Sequence, residues 1–188
     1  MSSVTTTLAV IVIVLIIAAA VVMAVGRYRR SRDLRRRFGP EYDRAVAEQP
    51  SRRAAERDLQ GRERRHAGLQ LKELEPEQRQ RYAEQWQQTQ AHFVEQPEAA
   101  TREADELVTL VMAERGYPVG DFDTQVQDLS VEHAETLGHY RDAHEINQIN
   151  ERGQASTEQL RQALMHYRIL FADLVGDPRG GGPVPRHG

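Results

Sequence analysis

One stretch of the chain is apolar without interruption. Leu8–Val25, LAVIVIVLIIAAAVVMAV, holds eighteen residues and no charge, and twelve of them are Leu, Ile or Val. As a helix rising about 1.5 Å per residue it covers roughly 27 Å, close to the ~30 Å hydrocarbon thickness of a bilayer. A buried strand of that length is disfavoured, since strands rarely exceed about ten residues. The pattern predicts a transmembrane anchor over residues 1–26, and its Leu, Ile and Val side chains together contribute on the order of −4 to −7 kcal/mol to insertion. A cleaved signal peptide is the rival reading. It needs basic residues ahead of the apolar core, and Met1–Thr7 has none, although Ala18–Ala20 imitates a cleavage site.

Beyond the anchor, apolar positions recur at helical spacing. Gly39-Pro40 breaks the chain, with Pro40 suited to the first position of a short helix reaching about Glu48. Ser51 is a good N-cap for the next segment. From Arg52 to Glu73 the stripe is thin, consisting of Ala55, Leu59, His66 and Leu69, and Gly61 and Gly68 weaken it. This predicts a solvent-exposed connecting helix, so residues 27–75 read as a basic juxtamembrane segment and a helical stalk. A stalk of about 33 Å would hold the C-terminal part of the chain off the membrane.

Residues 76–176 predict a helical bundle. Pro76 and Pro97 open two helices, with Tyr82, Trp86, Thr89, Phe93 and the adjacent Val94 marking the face of the first. Ala100, Ala104, Leu107, Val108 and Val111 mark the second, which Gly116 ends. Asp121 caps a short helix to about Leu129, and Ser130 is expected to cap a longer one over about Glu132–Arg152. Ser156 with Gln159 forms a capping box ahead of Leu160, Ala163, Leu164, Tyr167, Leu170, Phe171, Leu174 and Val175, the most regular amphipathic stripe in the chain. That helix should be the spine of the core. Residues 177–188 have too little apolar surface to fold and are expected to be a disordered tail. The fold class is all-α: a transmembrane helix, a basic juxtamembrane segment, an exposed connecting helix and a small bundle.

Charge orients this arrangement. Arg27, Arg29, Arg30, Arg32, Arg35, Arg36 and Arg37 oppose only Asp33, giving +6 over residues 27–37, with Tyr28 as an interfacial aromatic. Positive flanks stay on the cytoplasmic side, so the N-terminus is expected outside and the domain in the cytosol. These eight residues are the membrane-interface set, and residues 4–37 the lipid-contacting part. Residues 39–75 are neutral and 76–188 carry −9, which closes the net charge of −3. An acidic domain excludes nucleic acid as a partner and suits a basic protein. With no Cys in the chain, disulfides, zinc-thiolate sites and thiol nucleophiles are excluded.

Candidate chemistry is sparse. His92, His133, His139, His144 and His166 fall in the bundle, which contains no Glu-x-x-His pair, and His139 and His144 point about 140° apart on one helix. No metal ligand set, cofactor or catalytic residue is expected. The tripeptide His-Tyr-Arg occurs twice, at 139–141 and 166–168. If the two helices are antiparallel neighbours, Tyr140 and Tyr167 can pack together beside acids such as Asp142. A candidate recognition patch therefore comprises His139, Tyr140, Arg141, His144, His166, Tyr167 and Arg168.

RRFGPEYDR at residues 36–44, Tyr117-Pro118, HYRDAH at 139–144, ASTE at 155–158 and His166-Tyr167-Arg168 carry a resemblance to a family of small bacterial single-pass membrane-anchored proteins with a helical C-terminal domain. The resemblance spans most of the chain from the anchor to Leu174. It implies a recurring helical module and no activity. The function expected is a membrane-tethered, non-enzymatic interaction or scaffold module at the cell membrane. The alternative is a ligand- or metal-responsive sensor built on the bundle histidines.

Overall fold

The computed structural model describes the backbone of residues 2–176, and the side chains there except those at positions 2–7, 9, 10 and 12. The expected disordered tail, 177–188, lies outside the described residues. Among the described residues there are eight helices and no strand: α1 (Ser2–Phe38), α2 (Pro40–Glu48), α3 (Arg52–His66), α4 (Pro76–His92), α5 (Pro97–Arg115), α6 (Phe122–Leu129), α7 (Leu137–Glu151) and α8 (Thr157–Val175). The protein is all-α.

Helix α1 runs unbroken for 37 residues, from the apolar stretch through the arginines. Among the described residues no helix is long and apolar enough to cross a membrane. The uncharged run Leu8–Val25 straddles the edge of that description. Side chains 9, 10 and 12 lie outside it, and the eighteen residues starting at Ile13 already include Arg27, Arg29 and Arg30.

Helix boundaries follow local chemistry. Gly39 adopts φ 46°, a left-handed value that glycine takes without strain, and turns the chain sharply into Pro40. Ser51 accepts from the Ala54 amide at the start of α3, and Asp121 does the same for the Thr124 amide at α6. The Ser156–Gln159 capping box forms as expected. Gly116 ends α5 at φ 93°, and a Cβ there would meet Gln70 O at 2.6 Å. The close approach has a purpose: residues 69–74 lie along the end of α5, tied by Lys72 N–H donating to Arg115 O at 3.0 Å. One boundary corrects the sequence reading. Ser130 closes α6 instead of opening a helix, its hydroxyl donating to Gln127 O at 2.6 Å, and turns fill 130–136 before α7 begins at Leu137.

The main core lies among α4, α5, α7 and α8, with α6 and Leu74 at its edge. All eight positions of the α8 stripe are buried, as its periodicity predicts. Trp86 stacks on Phe171 with ring centroids 4.7 Å apart. On α4 the expected stripe is narrower: Trp86 and Thr89 are buried, whereas Val94 is exposed.

The exposed stalk is the main correction. Leu34 and Phe38 at the end of α1, Tyr42 and Ala45 on α2, and Ala55 and Leu59 on α3 bury one another, together with Val131 from the turns before α7. Helices α2 and α3 fold back on α1, and α3 also meets α6, where Arg65 donates to Gln127 at 2.7 Å. A polar clasp fastens the same corner. Tyr42 Oη donates to Glu56 at 2.9 Å, Arg52 donates to Tyr42, Glu56 and Ser31, and Ser31 Oγ pairs with Tyr42 at 3.1 Å. Burial alone would raise the Glu56 carboxyl, but these hydrogen bonds outweigh it and hold its pKa below the ordinary value.

Candidate functional site

The two His-Tyr-Arg segments sit side by side on α7 and α8, and each pair of equivalent residues meets a different fate. His139 and His166 face each other, their Nδ1 atoms 2.8 Å apart and their rings stacked at 5.0 Å. In that contact one nitrogen carries the hydrogen and the other offers its lone pair. Tyr140 and Tyr167 meet edge-to-face at 6.3 Å. Both are fully buried, so neither belongs to a surface that a partner could touch. Arg141 turns away to Glu41 on α2, while Arg168 is exposed to solvent. His144 stacks flat on Phe122, centroids 3.7 Å apart, and accepts from Gln148 through Nε2 at 3.2 Å, which leaves the hydrogen on its buried, unpartnered Nδ1. The expected seven-residue recognition patch is thus split. His139, His166 and Arg168 keep access to solvent, the tyrosines are core, and Arg141 is a structural tie.

Beneath the histidines lies a polar interior. Tyr140 Oη donates to Gln125 Oε1 at 2.7 Å, and Gln125 Nε2 donates to Gly120 O at 3.1 Å. Tyr167 Oη has no well-formed hydrogen bond, and Asp105 is the charge that acts on it most strongly. Burial raises both phenols above their ordinary range, and the Asp105 charge adds to it. The Asp105 carboxyl is itself raised by burial, against the favourable pull of Tyr167 and His144. The two tyrosines should therefore respond differently to loss of the hydroxyl. Tyr140→Phe strands a buried acceptor and is expected to cost about 1–3 kcal/mol, whereas Tyr167→Phe removes a hydroxyl with no well-formed bond and should cost less. Thermal melts of the two variants in detergent measure the difference.

A second histidine centre joins α5 and α8 to the turns before α7. His133 Nδ1–H donates to Asp173 at 2.8 Å, and its Nε2 accepts from Arg115 at 3.3 Å, so its neighbours fix the tautomer. Burial would raise Asp173, but His133, Thr136 and the Arg115 charge bring it below the usual carboxylate value. Thr136 Oγ1 donates to Asp173 and not to the ring. The arrangement fastens helices and presents no activated hydroxyl.

Asp142 is the residue whose role the sequence does not separate from the background. It lies one turn after His139 on α7, and ligand atoms of His139, Asp142 and His166 all fall within 4.8 Å of one another. Among the described residues this is the one group of three such side chains drawn together. The i, i+3 spacing of His139 and Asp142 is visible in the sequence; the third member, 27 residues on, is not. Of the membrane-interface set, Arg27, Tyr28, Arg29, Arg30, Arg32 and Arg36 are exposed. Arg35 pairs with Asp43 at 2.9 Å and Arg37 with Glu63 at 3.4 Å, which ties the end of the basic segment to α2 and α3.

No family model, no curated protein and no solved structure matches the chain.

Proposed function

We propose that the chain is a single-pass membrane protein, N-terminus outside, whose cytosolic helical domain acts as a tethered, non-enzymatic interaction or scaffold module. The observation that carries this reading is the surface of α1. Leu8, Ile11, Ile13, Val14, Leu15, Ile16, Ile17, Val21, Val22, Met23 and Val25 are all exposed, Leu8 at 63% and Val22 at 72%. Five of them, Ile13–Ile17, are consecutive and so cover the full circumference of the helix. A helix that is apolar all round belongs in a core or a bilayer, and no other helix among the described residues covers it. The exposed arginines directly after it supply the cytoplasmic flank.

Two features favour an interaction module over an enzyme. Residues 76–188 carry the −9 charge that would engage a basic protein surface, and the buried histidines and acids serve helix packing. The resemblance to small anchored bacterial proteins supports the same architecture.

Alkaline carbonate extraction of membranes tests the tether. The full chain is expected in the pellet. Leu15→Arg with Ile16→Arg places two charges near the middle of the run, each costing about 2.5–3.5 kcal/mol, which together cancel the gain of roughly 4–7 kcal/mol from the aliphatic residues. That double variant is expected in the supernatant. Full extraction of the unsubstituted chain would sink the proposal.

A further inference from the structure

We propose that His139, Asp142 and His166 form a binding site for one divalent transition-metal ion of the zinc type, held between α7 and α8. This goes beyond tethering and stands without it, since the cluster is built entirely within the bundle.

The geometry is close to what such an ion requires. Two nitrogens bound at about 2.0–2.1 Å around a tetrahedral ion stand roughly 3.3–3.4 Å apart. The facing Nδ1 atoms are at 2.8 Å, so the two rings need to part by about half an ångström. Both histidines are half-buried, which lets the rings shift without opening the core. The Asp142 side chain is exposed and closes the remaining gap, within 4.8 Å, by rotation about its own bonds.

The chemistry of the set selects the ion. Two imidazoles and one carboxylate suit Zn²⁺, Co²⁺ and Ni²⁺, whereas Ca²⁺ and Mg²⁺ ask for mostly oxygen ligands. Binding needs a lone pair on each Nδ1, so the hydrogen now shared between the rings moves to Nε2 of the donating ring. The ion then replaces a single weak contact with three bonds. Three protein ligands leave a fourth position for water or an incoming group, and the exposure of Asp142 places that position toward solvent. Because His139 and Asp142 come from α7 and His166 from α8, the ion would pin together the two helices at the heart of the bundle.

The test uses the full chain in mild detergent, titrated with Zn²⁺ by calorimetry and with Co²⁺ by visible absorption. One equivalent is expected, with the intense d–d bands of a four-coordinate cobalt site. Loss of a ligand should cost more than the roughly 10–100-fold that loss of an outer hydrogen-bond partner does. His139→Ala and His166→Ala are therefore expected to abolish the cobalt bands, and Asp142→Asn, at an exposed position that does not threaten folding, to weaken Zn²⁺ binding at least tenfold. His187→Ala, at a position not among the three proposed ligands, should change nothing. Far-UV circular dichroism of each variant confirms that the helices remain. Absence of binding overturns the proposal, as do cobalt bands that survive either histidine substitution in a folded protein. Zn²⁺ affinity unaffected by Asp142→Asn overturns the three-ligand assignment.

Discussion

Arg141→Ala is expected to destabilise the folded chain by about 3–5 kcal/mol, the cost typical of breaking a buried ion pair by removing one partner. Arg141 on α7 donates to both oxygens of Glu41 on α2, across a hundred positions of sequence, with Nη2 to Oε2 at 2.7 Å. The side chains are only 16% and 5% exposed. Removing the guanidinium leaves the buried Glu41 carboxylate without its ion-pair partner, and removing Glu41 does the same to Arg141. The pair itself need not be a large net stabiliser, because both charges lost their water on folding. Arg141→Met combined with Glu41→Leu is therefore expected to recover most of the loss. Thermal melts of the four proteins, read as a double-mutant cycle, separate the cost of a stranded charge from the worth of the pair. A single Arg141→Ala variant as stable as the parent would show that the Arg141–Glu41 pair does not hold α2 to α7.

Phe38→Ala is expected to cost a similar amount, about 3–5 kcal/mol, through the cavity it leaves. Phe38 is completely buried between Leu34, Tyr42, Ala45, Ala55, Leu59 and Val131. A phenylalanine on an exposed stalk would instead respond within about ±0.5 kcal/mol, as surface positions do. The same melts decide between the two. Because Phe38 and Glu41 both hold α2 in place, losses at Phe38 and Arg141 should not add fully; the first loosens the seam that the second would break.

What the sequence reveals tracks how local the signals are. Helix α8 announces itself through eight apolar positions and a capping box, and all of them behave as expected. Proline starts at 76 and 97, and the glycine stop at 116, likewise need only their neighbours. Helices α2 and α3 read as an exposed stalk because their buried face is built from small and polar residues. Ala45 and Ala55 bury little area each, and Tyr42, Arg52 and Glu56 are satisfied by one another, so the stripe looks too weak to pack. Its largest members, Leu34 and Phe38, sit in a stretch dominated by arginines. The Arg141–Glu41 pair leaves no local trace at all. Nor does the histidine cluster, because ligand spacing within one helix cannot show that His166 arrives from the next.

For a chain anchored by α1 as proposed, the folded-back corner changes how the domain relates to the membrane. With Ser31 four residues after Arg27, the first buried contact comes about 6 Å along α1 from the start of the basic flank. That is comparable to a Debye length of about 8 Å at physiological salt. The domain would sit against the headgroups on a rigid helix, not swing from a stalk, and the orientation of α1 would set which face of the bundle a partner meets.

Cysteine accessibility tests this topology most directly, since the chain has no Cys of its own. Ser3 and, in a separate protein, the exposed Gln154 between α7 and α8 are each replaced by cysteine, and intact cells are treated with a membrane-impermeant maleimide. The account predicts labelling at position 3 in intact cells, and at position 154 only after lysis. Labelling at 154 in intact cells, or protection at 3 that lysis relieves, would contradict it and place the helical domain on the other side of the membrane.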